Sequence, residues 1–349
     1  MGRPGREVHL VEYPEGDVQP SHFRVAEMEV REPGDGEVLV RNTFTSVDAG
    51  MRLRLRESGP AGYFNSFPLN AAMDGIMTVG EVVESRADGF APGDAVWHAS
   101  GWRDYSVVAA GVPALSGLGT LSRIDTDSAP PEKYLGPLGG MGLTAYAGLI
   151  DAAGLREGDV VWVSAAAGAV GSIAAQIAKL RGHFVIGSAG SADKVRYLLD
   201  DLGLDAAFNY HEGSIAEHLR EAAPEGIDVY FDNVAGDHLE AALATLRRWG
   251  RVALCGAVSQ YQTTEPQPGP SNLFQAVSND LTLRGFRGSS YLHRFADVTR
   301  EVGAWLAEGR LHYRETIVDG LEHAPEALVR LLSGDTTGKT IVRVTTRLG

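Results

Sequence analysis

The segment from Asp159 to Tyr210 limits the possible folds of this chain more than any other. It contains an apolar, β-branched run at 160–163 (VVWV), a turn of small residues at 164–171 (SAAAGAVG) and a second apolar run at 184–186 (FVI). Between the runs, apolar residues recur from Val170 to Ile177 at the i, i+3, i+4, i+7 spacing of one buried helix face. The segment therefore predicts strand, glycine turn, helix and strand, which is the first half of a dinucleotide-binding unit.

The small residues of this turn predict a cradle for a phosphate group. A pyrophosphate has to lie against backbone N–H groups at the helix N-terminus, where the helix dipole favours anions. A Cβ at Gly168 would stand between backbone and ligand, and one at Gly171 would push the helix off the strand. Ala166 takes the first position of the G-x-G-x-x-G pattern, so the fingerprint is imperfect. The complete β-α-β context nevertheless favours cofactor binding over a tight connection alone.

The end of the second run indicates which cofactor is bound. An NAD site usually places Asp or Glu about 20 residues on, where it accepts a hydrogen bond from the ribose 2′-hydroxyl. Here the strand ends in GSAG at 187–190, the first acid is Asp193, and Lys194 and Tyr210 follow. A cation with hydroxyl donors suits a 2′-phosphate, so we expect NADP. The alternative is that Asp193 and Lys194 are an ordinary solvated start of a helix.

Composition and charge narrow the class of protein. A chain of 349 residues suggests two domains, and its 44% hydrophobic and 22% charged residues are ordinary for a soluble globular protein. The net charge of −14 argues against nucleic acid or an anionic membrane surface as partner. Cys255 is the single cysteine, which excludes an internal disulfide framework and fits a reducing compartment. No segment resembles a signal peptide or approaches about 18 apolar residues, so we expect a cytoplasmic protein.

The pattern changes along the chain. Residues 7 to about 110 contain short strand-like runs separated by turns, which favours a small, irregular β-rich domain. Beyond residue 137, strands alternate with helices, which predicts an α/β domain with a doubly wound parallel sheet. The tail at 340–344 again resembles a strand and is expected to return to the first domain. The later strands are predicted at 227–231, 251–255 and 281–286, and the helices at about 191–202, 213–222, 236–249 and 291–308.

Some kinds of site have little support. Catalytic zinc needs three protein ligands, but the chain has one cysteine and no two of its ten histidines lie within five residues of each other. We therefore expect no metal site. Cys255 is interpreted as a buried residue at a strand end rather than a nucleophile. Asn233 follows a predicted strand, where an amide suits the carboxamide of a nicotinamide ring; a loop cap is the alternative.

Four motifs occur together: GGMGLTAY at 139–146, AAAGAVG at 165–171, FDNV at 231–234 and CGAVSQY at 255–261. Together they resemble the zinc-independent medium-chain dehydrogenase/reductase superfamily, and within it the leukotriene hydroxydehydrogenase, prostaglandin reductase and alkenal double-bond reductase family. The resemblance implies a GroES-like domain over 1–136, completed by 310–349, and a Rossmann NADP-binding domain over 137–309. It also implies a homodimer and NADPH-dependent reduction of the C=C bond of α,β-unsaturated aldehydes or ketones.

The resemblance further implies site residues. The family often has DPYMR where this chain has DAGMR at 48–52, and an Asn where Thr337 stands, so that Asn contact is not carried over. Tyr63 is a candidate for the pocket tyrosine of relatives. The candidate cofactor contacts are Met141, Thr144, Ala167, Gly168, Ala169, Val170, Gly171, Ser191, Lys194, Tyr210, Asn233, Cys255, Gly256, Ala257, Val258, Tyr261, Phe286, Arg287 and Gly288.

Tyr261 is the first candidate for a catalytic donor. Hydride delivery to the β-carbon of an unsaturated carbonyl compound develops charge on the carbonyl oxygen, and a phenol with an ordinary pKa of about 10 is protonated and able to donate there. The cofactor ribose hydroxyl is another possible donor, and a pocket-wall role for Tyr261 is the alternative. Two other functions remain open, which are quinone reduction with NADPH and a non-enzymatic NADP-binding protein on the same fold.

Overall fold

The computed structural model describes residues 3–60, 62, 64–113, 117–263, 265 and 267–344. The chain divides into two compact units, one formed by Met1–Gly140 with Glu315–Gly349 and the other by Met141–Arg314. Across the described ranges, no helix has both the length and the apolar character needed to cross a membrane.

The strands and helices are numbered here in chain order. The strands are β1 (Arg3–Leu10), β2 (Phe23–Val30), β3 (Glu37–Ser46), β4 (Thr78–Ser85), β5 (Ala95–His98), β6 (Tyr105–Ala109), β7 (Ser122–Arg123), β8 (Val160–Val163), β9 (Phe184–Ala189), β10 (Ala206–Asn209), β11 (Ile227–Asp232), β12 (Leu246–Leu254), β13 (Thr282–Gly285), β14 (Glu315–Asp319) and β15 (Lys339–Arg343). The α-helices are α1 (Gly140–Ala147), α2 (Ala169–Leu180), α3 (Ala192–Arg196), α4 (Ile215–Ala222), α5 (Gly236–Thr245), α6 (Phe274–Ser278), α7 (Phe295–Ala307) and α8 (Ala324–Leu332).

The first unit is rich in β-structure. Its larger sheet has the strand order β14-β15-β3-β4-β5-β7, with β6 also paired to β3, and β1 and β2 form a separate antiparallel pair. Alternate residues of the larger sheet, among them Val38, Val40, Val82 and Val96, are fully buried and form its core. Because β15 pairs antiparallel with β3, the C-terminal strand lies in the sheet of this unit.

A buried ion pair in the first unit joins Asp48, just after β3, to Lys339 at the start of β15. Lys339 is 1% exposed, and its Nζ donates to Asp48 Oδ1 and to the Val47 carbonyl, both at 2.8 Å. Ser46 Oγ donates to the other carboxylate oxygen of Asp48. Burial lowers the pKa of Lys339, although Asp48 acts in the opposite direction. The charged form of Lys339 is therefore stabilised by its two hydrogen-bond acceptors rather than by water.

The second unit is built on a parallel sheet with the strand order β10-β9-β8-β11-β12-β13. Residues 161–163 of the central strand are fully buried, and α2 and α5 pack against the central strands, as the apolar runs require. Trp162, Ile227, Tyr230 and Val252 are fully buried within this core. The predicted combination of a β-rich domain and a doubly wound parallel sheet is confirmed.

Two predicted helix boundaries were wrong. The helix predicted to reach residue 249 ends at Thr245, because Leu246 is already extended and pairs with Ile227 of the neighbouring strand. The long helix predicted to begin at residue 291 begins at Phe295. It follows a 3-10 segment over Gly288–Arg294 that is interrupted at Tyr291. At the first boundary, pairing with a distant strand overrides the local helical pattern.

Candidate active site

The candidate residues of the second unit lie along one edge of its sheet. Because β8 to β13 run parallel, their carboxyl ends share an edge, and the chain order reverses between β8 and β11. Open α/β sheets bind ligands at such a switch point. The segments that follow the strands are 164–171 after β8, Ser191 and Lys194 after β9, Tyr210 after β10, Asn233 after β11, 255–261 after β12 and 286–288 after β13.

The glycine turn after β8 has the close packing that the sequence predicted. Ala165 adopts a left-handed conformation with φ of 46°, and Gly168 caps α2. A Cβ at Gly171 would lie 2.3 Å from the Ala165 carbonyl oxygen and 2.9 Å from Ala166 Cα, so this glycine allows the helix to approach the turn.

One side of the same turn is open. Apart from its chain neighbours, a Cβ at Gly168 would meet only the Ala165 carbonyl oxygen, at 3.1 Å, among the described residues within 4 Å. The space that this Cβ would fill adjoins the N-terminus of α2, whose backbone N–H groups and dipole favour an anion. The turn therefore fits the pyrophosphate of a dinucleotide.

Two hydroxyl groups lie beside the end of β9. A Cβ at Gly190 would lie 2.9 Å from the Tyr210 hydroxyl, so this phenol lies over the strand end. Ser191 caps α3, and its Oγ accepts a hydrogen bond of 3.3 Å from the Lys194 backbone N–H. Asp193 instead faces solvent and pairs with Arg196. The strand end thus gathers two hydroxyls and the backbone of a lysine, and the Asp193 carboxylate is turned outward, which fits a 2′-phosphate.

An aromatic stack supports Tyr210, and sequence reasoning missed it. The Tyr210 ring meets His238 edge to face at 4.9 Å, and His238 stacks on Trp162 at 5.9 Å. Burial lowers the pKa of His238 to about 4, so its ring is neutral at neutral pH. No local motif marks His238, because its partners come from distant strands.

Asn233 ties the end of β11 to the end of β8. Its Nδ2 donates to the Ser164 carbonyl at 2.7 Å, and its backbone N–H donates to Ser164 Oγ at 3.0 Å. The loop-capping role, which the sequence left as the alternative, is therefore present. These bonds do not use the amide oxygen of Asn233.

Asp232 lies within the motif FDNV, but the sequence alone indicates no role for it. It is fully buried, and its Oδ1 accepts hydrogen bonds from the Tyr230 hydroxyl at 2.7 Å, Val234 N at 2.9 Å and Ala235 N at 2.8 Å. Burial raises the pKa of Asp232 against these three donors. Its Oδ2 is buried with no hydrogen-bond partner among the residues that the structure describes.

The loop after β12 is anchored on the same residue. The backbone N–H groups of Cys255 and Gly256 both donate to the Asp232 carbonyl, at 2.8 and 3.0 Å. Desolvation, with a smaller contribution from the Asp232 carboxylate, raises the pKa of the Cys255 thiol to about 12. Cys255 is partly buried and stays a thiol at neutral pH, which agrees with its interpretation as a non-nucleophile.

The Tyr261 hydroxyl folds back onto its own loop. It accepts a hydrogen bond of 3.3 Å from Ala257 N, and a Cβ at Gly256 would lie 3.2 Å from it. Burial raises the pKa of Tyr261 above its ordinary value, so the phenol is neutral at neutral pH. Tyr63, the other catalytic candidate, lies outside the described residues.

The remaining candidates come from α1 and from the segment after β13. A Cβ at Gly288 would lie 2.3 Å from Thr144 Oγ1, so this glycine allows the segment to pass against α1. Met141 is one helical turn before Thr144, and Arg287 is exposed beside Gly288. Phe286 packs edge to face on Phe231 with ring centroids 6.1 Å apart. Both Met141 and Thr144 are therefore on a helix that reaches this edge.

No group of three or more His, Cys, Asp or Glu side chains is arranged to hold a metal ion within the part of the chain that the structure describes.

Comparisons with known proteins agree with this architecture. Residues 6–114 match the family described as the N-terminal domain of oxidoreductase, and residues 169–306 match the family described as zinc-binding dehydrogenase. The chain is 38% identical to NADPH-dependent curcumin reductase of Escherichia coli, covering 96% of this chain and 95% of that one. It is 37% identical to prostaglandin reductase 1 of Sus scrofa, covering 96% of each. The crystal structure of CurA from Vibrio vulnificus in complex with NADPH superposes with a TM-score of 0.89, at 33% identity, covering 98% of this chain and 99% of that one.

Proposed function

Because this chain belongs to the zinc-independent medium-chain dehydrogenase/reductase family, we propose that it reduces the C=C bond of α,β-unsaturated aldehydes or ketones with NADPH. The proposal rests on one edge of the parallel sheet, which carries the turn around Gly168 and the hydroxyls of Ser191 and Tyr210, in a chain that is similar to reductases over 96% of its residues. Among these relatives are an NADP-dependent 2-alkenal reductase of Nicotiana tabacum, at 36% identity, and the curcumin reductase.

The expected cofactor, NADPH, is confirmed by the relative that was crystallised with it and by the curcumin reductase that depends on it. When bound, NADPH supplies a hydride. The turn around Gly168 would hold its pyrophosphate against the N-terminus of α2. Ser191, Lys194 and Tyr210 would hold its 2′-phosphate at the end of β9.

Tyr261 is the proposed donor to the carbonyl oxygen of the substrate. As the β-carbon is reduced, negative charge moves to that oxygen and an enolate forms, which then takes a proton from water at the α-carbon. A donor whose hydrogen bond strengthens as the charge grows lowers the barrier. The raised pKa of Tyr261 keeps its proton in place through neutral and mildly alkaline pH.

The state of Cys255 also suits an electrophilic substrate. Unsaturated carbonyl compounds add to thiolates, and the nucleophilic form of a cysteine is the thiolate. A thiol with a pKa of about 12 is almost wholly protonated at neutral pH. This property protects the loop after β12 from alkylation by the molecules that the enzyme reduces.

The proposal is tested by NADPH consumption with three kinds of acceptor: alkenals of graded chain length, enones and a benzoquinone. We expect turnover with the alkenals and enones and a kcat/KM for the quinone at least about tenfold lower. The reverse preference would assign the chain to quinone reduction. NADPH binding without turnover on any acceptor would make it a binding protein.

Removing the Tyr261 hydroxyl tests its role. We expect Tyr261→Phe to lower kcat on an enone by about a hundredfold, as loss of one well-placed donor does, with a small change in KM. Tyr134→Phe is the matched control, since the Tyr134 hydroxyl donates to the Asp125 carbonyl in the β-rich unit. An unchanged kcat for Tyr261→Phe would reduce Tyr261 to a pocket-wall residue.

A further inference from the structure

Asp232 links three segments of the sheet edge on which the candidate cofactor contacts lie. We propose that Asp232 is a positioning residue for the cofactor: its carboxylate sets the turn at 233–235, and its carbonyl sets the start of the loop at 255–261. The inference rests on the proposed function, because it treats this edge as the place where NADPH binds.

The turn at 233–235 depends on the carboxylate. Asp232 Oδ1 accepts from the backbone N–H groups two and three residues on, at 2.9 and 2.8 Å. Together these two hydrogen bonds hold Ala235 at φ 63° and ψ −153°. Residues other than glycine rarely adopt a positive φ of this kind. A conformation of this kind persists only when the surroundings over-determine it. Without the acceptor, the turn is expected to relax and Asn233 to move with it.

The same carboxylate reaches the glycine turn through two hydroxyls. The Tyr230 hydroxyl lies 2.7 Å from Asp232 Oδ1 and 2.9 Å from Ser164 Oγ. Ser164 in turn receives both hydrogen bonds of Asn233 and directly precedes Ala165. The ends of β8 and β11, between which the sheet reverses its strand order, are therefore joined by one polar network.

The turn needs one acceptor oxygen, but Asp232 buries two. An asparagine closes the same kind of turn through its amide oxygen. Asp232 instead buries a second oxygen that has no hydrogen-bond partner among the described residues, and no ion pair in these ranges involves it. Such an uncompensated buried group is unfavourable and tends to occur at functional sites.

The test measures NADPH affinity by fluorescence titration without substrate, together with thermal stability. We expect Asp232→Ala to weaken NADPH binding by about tenfold or more, since small displacements of positioning groups have effects of this size. Asp232→Asn keeps the acceptor for the turn and should bind within about threefold of the wild type. Asp228→Ala is the matched control: this carboxylate, also on β11, accepts from Val160 N and pairs with Arg247 at the opposite end of the strand.

Asp228→Ala should lower the melting temperature and leave NADPH affinity unchanged. Equal affinity in Asp232→Ala and wild type, or equal losses in Asp232→Ala and Asp228→Ala, would overturn the proposal. If Asp232→Ala does not fold, Asp232→Val, which also removes the acceptor of the turn, takes its place with the same expected loss of NADPH affinity; wild-type affinity in that variant would overturn the proposal. A wild-type protein that binds NADPH but reduces no enone would instead contradict the proposed function alone.

Discussion

Gly171→Ala is expected to lower the free energy of unfolding by about 3 kcal/mol, the upper range for overpacking a closely packed site. Its Cβ would lie 2.3 Å from the Ala165 carbonyl oxygen and 2.9 Å from Ala166 Cα, and neither backbone atom is able to rotate away. Relief requires α2 to move off the turn after β8. Because that movement displaces the helix N-terminus, NADPH affinity should fall as well. Urea unfolding and a fluorescence titration measure the two effects.

Gly168→Ala is the matched comparison in the same turn. Its Cβ would meet only the Ala165 carbonyl oxygen, at 3.1 Å, among the described residues beyond its chain neighbours, so unfolding free energy should change by less than about 1 kcal/mol. NADPH affinity should nevertheless fall by about tenfold, which corresponds to 1.4 kcal/mol. If Gly168→Ala binds NADPH normally, the phosphate does not lie where the open side of the turn places it.

Lys339→Met is expected to lower the free energy of unfolding by about 3–5 kcal/mol, because it leaves the Asp48 carboxylate buried without its cation. The side chains of Lys339 and Asp48 are 1% and 11% exposed, so water does not replace the lost partner. Arg343→Met is the control on the same strand. Arg343 pairs with Asp319 at the surface, where ion pairs contribute about 0–1 kcal/mol.

A double variant separates the ion pair from simple packing. Lys339→Met combined with Asp48→Asn removes both charges and should recover part of the stability that Lys339→Met loses, since neighbouring substitutions are not additive. Urea unfolding of the four proteins in this cycle measures the coupling. A loss in Lys339→Met no larger than that in Arg343→Met would show that the buried pair contributes little.

The parallel sheet could be predicted because the sequence features that specify its first two strands lie close together in the chain. The run at 160–163, the glycine turn and the periodic helix from Val170 to Ile177 lie within one short segment, and each has its own period. The close approach at Gly171 followed from the same segment. The end of α5 at Thr245 was harder to predict from the sequence, because it depends on pairing between Leu246 and Ile227.

The parts of the site that sequence reasoning missed depend on distant contacts. His238 supports Tyr210 through stacking on Trp162, and no spacing in the sequence joins these three residues. Asp232 stood inside a recognised motif, but only the structure shows its full burial and its three donors. The ion pair of Asp48 and Lys339 likewise joins opposite ends of the chain, and neither end predicts the other.

The most direct test of the central claim is the position of label in the product. The wild-type protein would be incubated with an enone or alkenal and NADPH deuterated at the transferable position, and the product analysed by NMR and mass spectrometry. We predict a saturated carbonyl compound with one deuterium at the β-carbon, and little product when NADH replaces NADPH. An allylic alcohol labelled at the carbonyl carbon, or equal product with NADH, would contradict the assignment of this chain as an NADPH-dependent double-bond reductase.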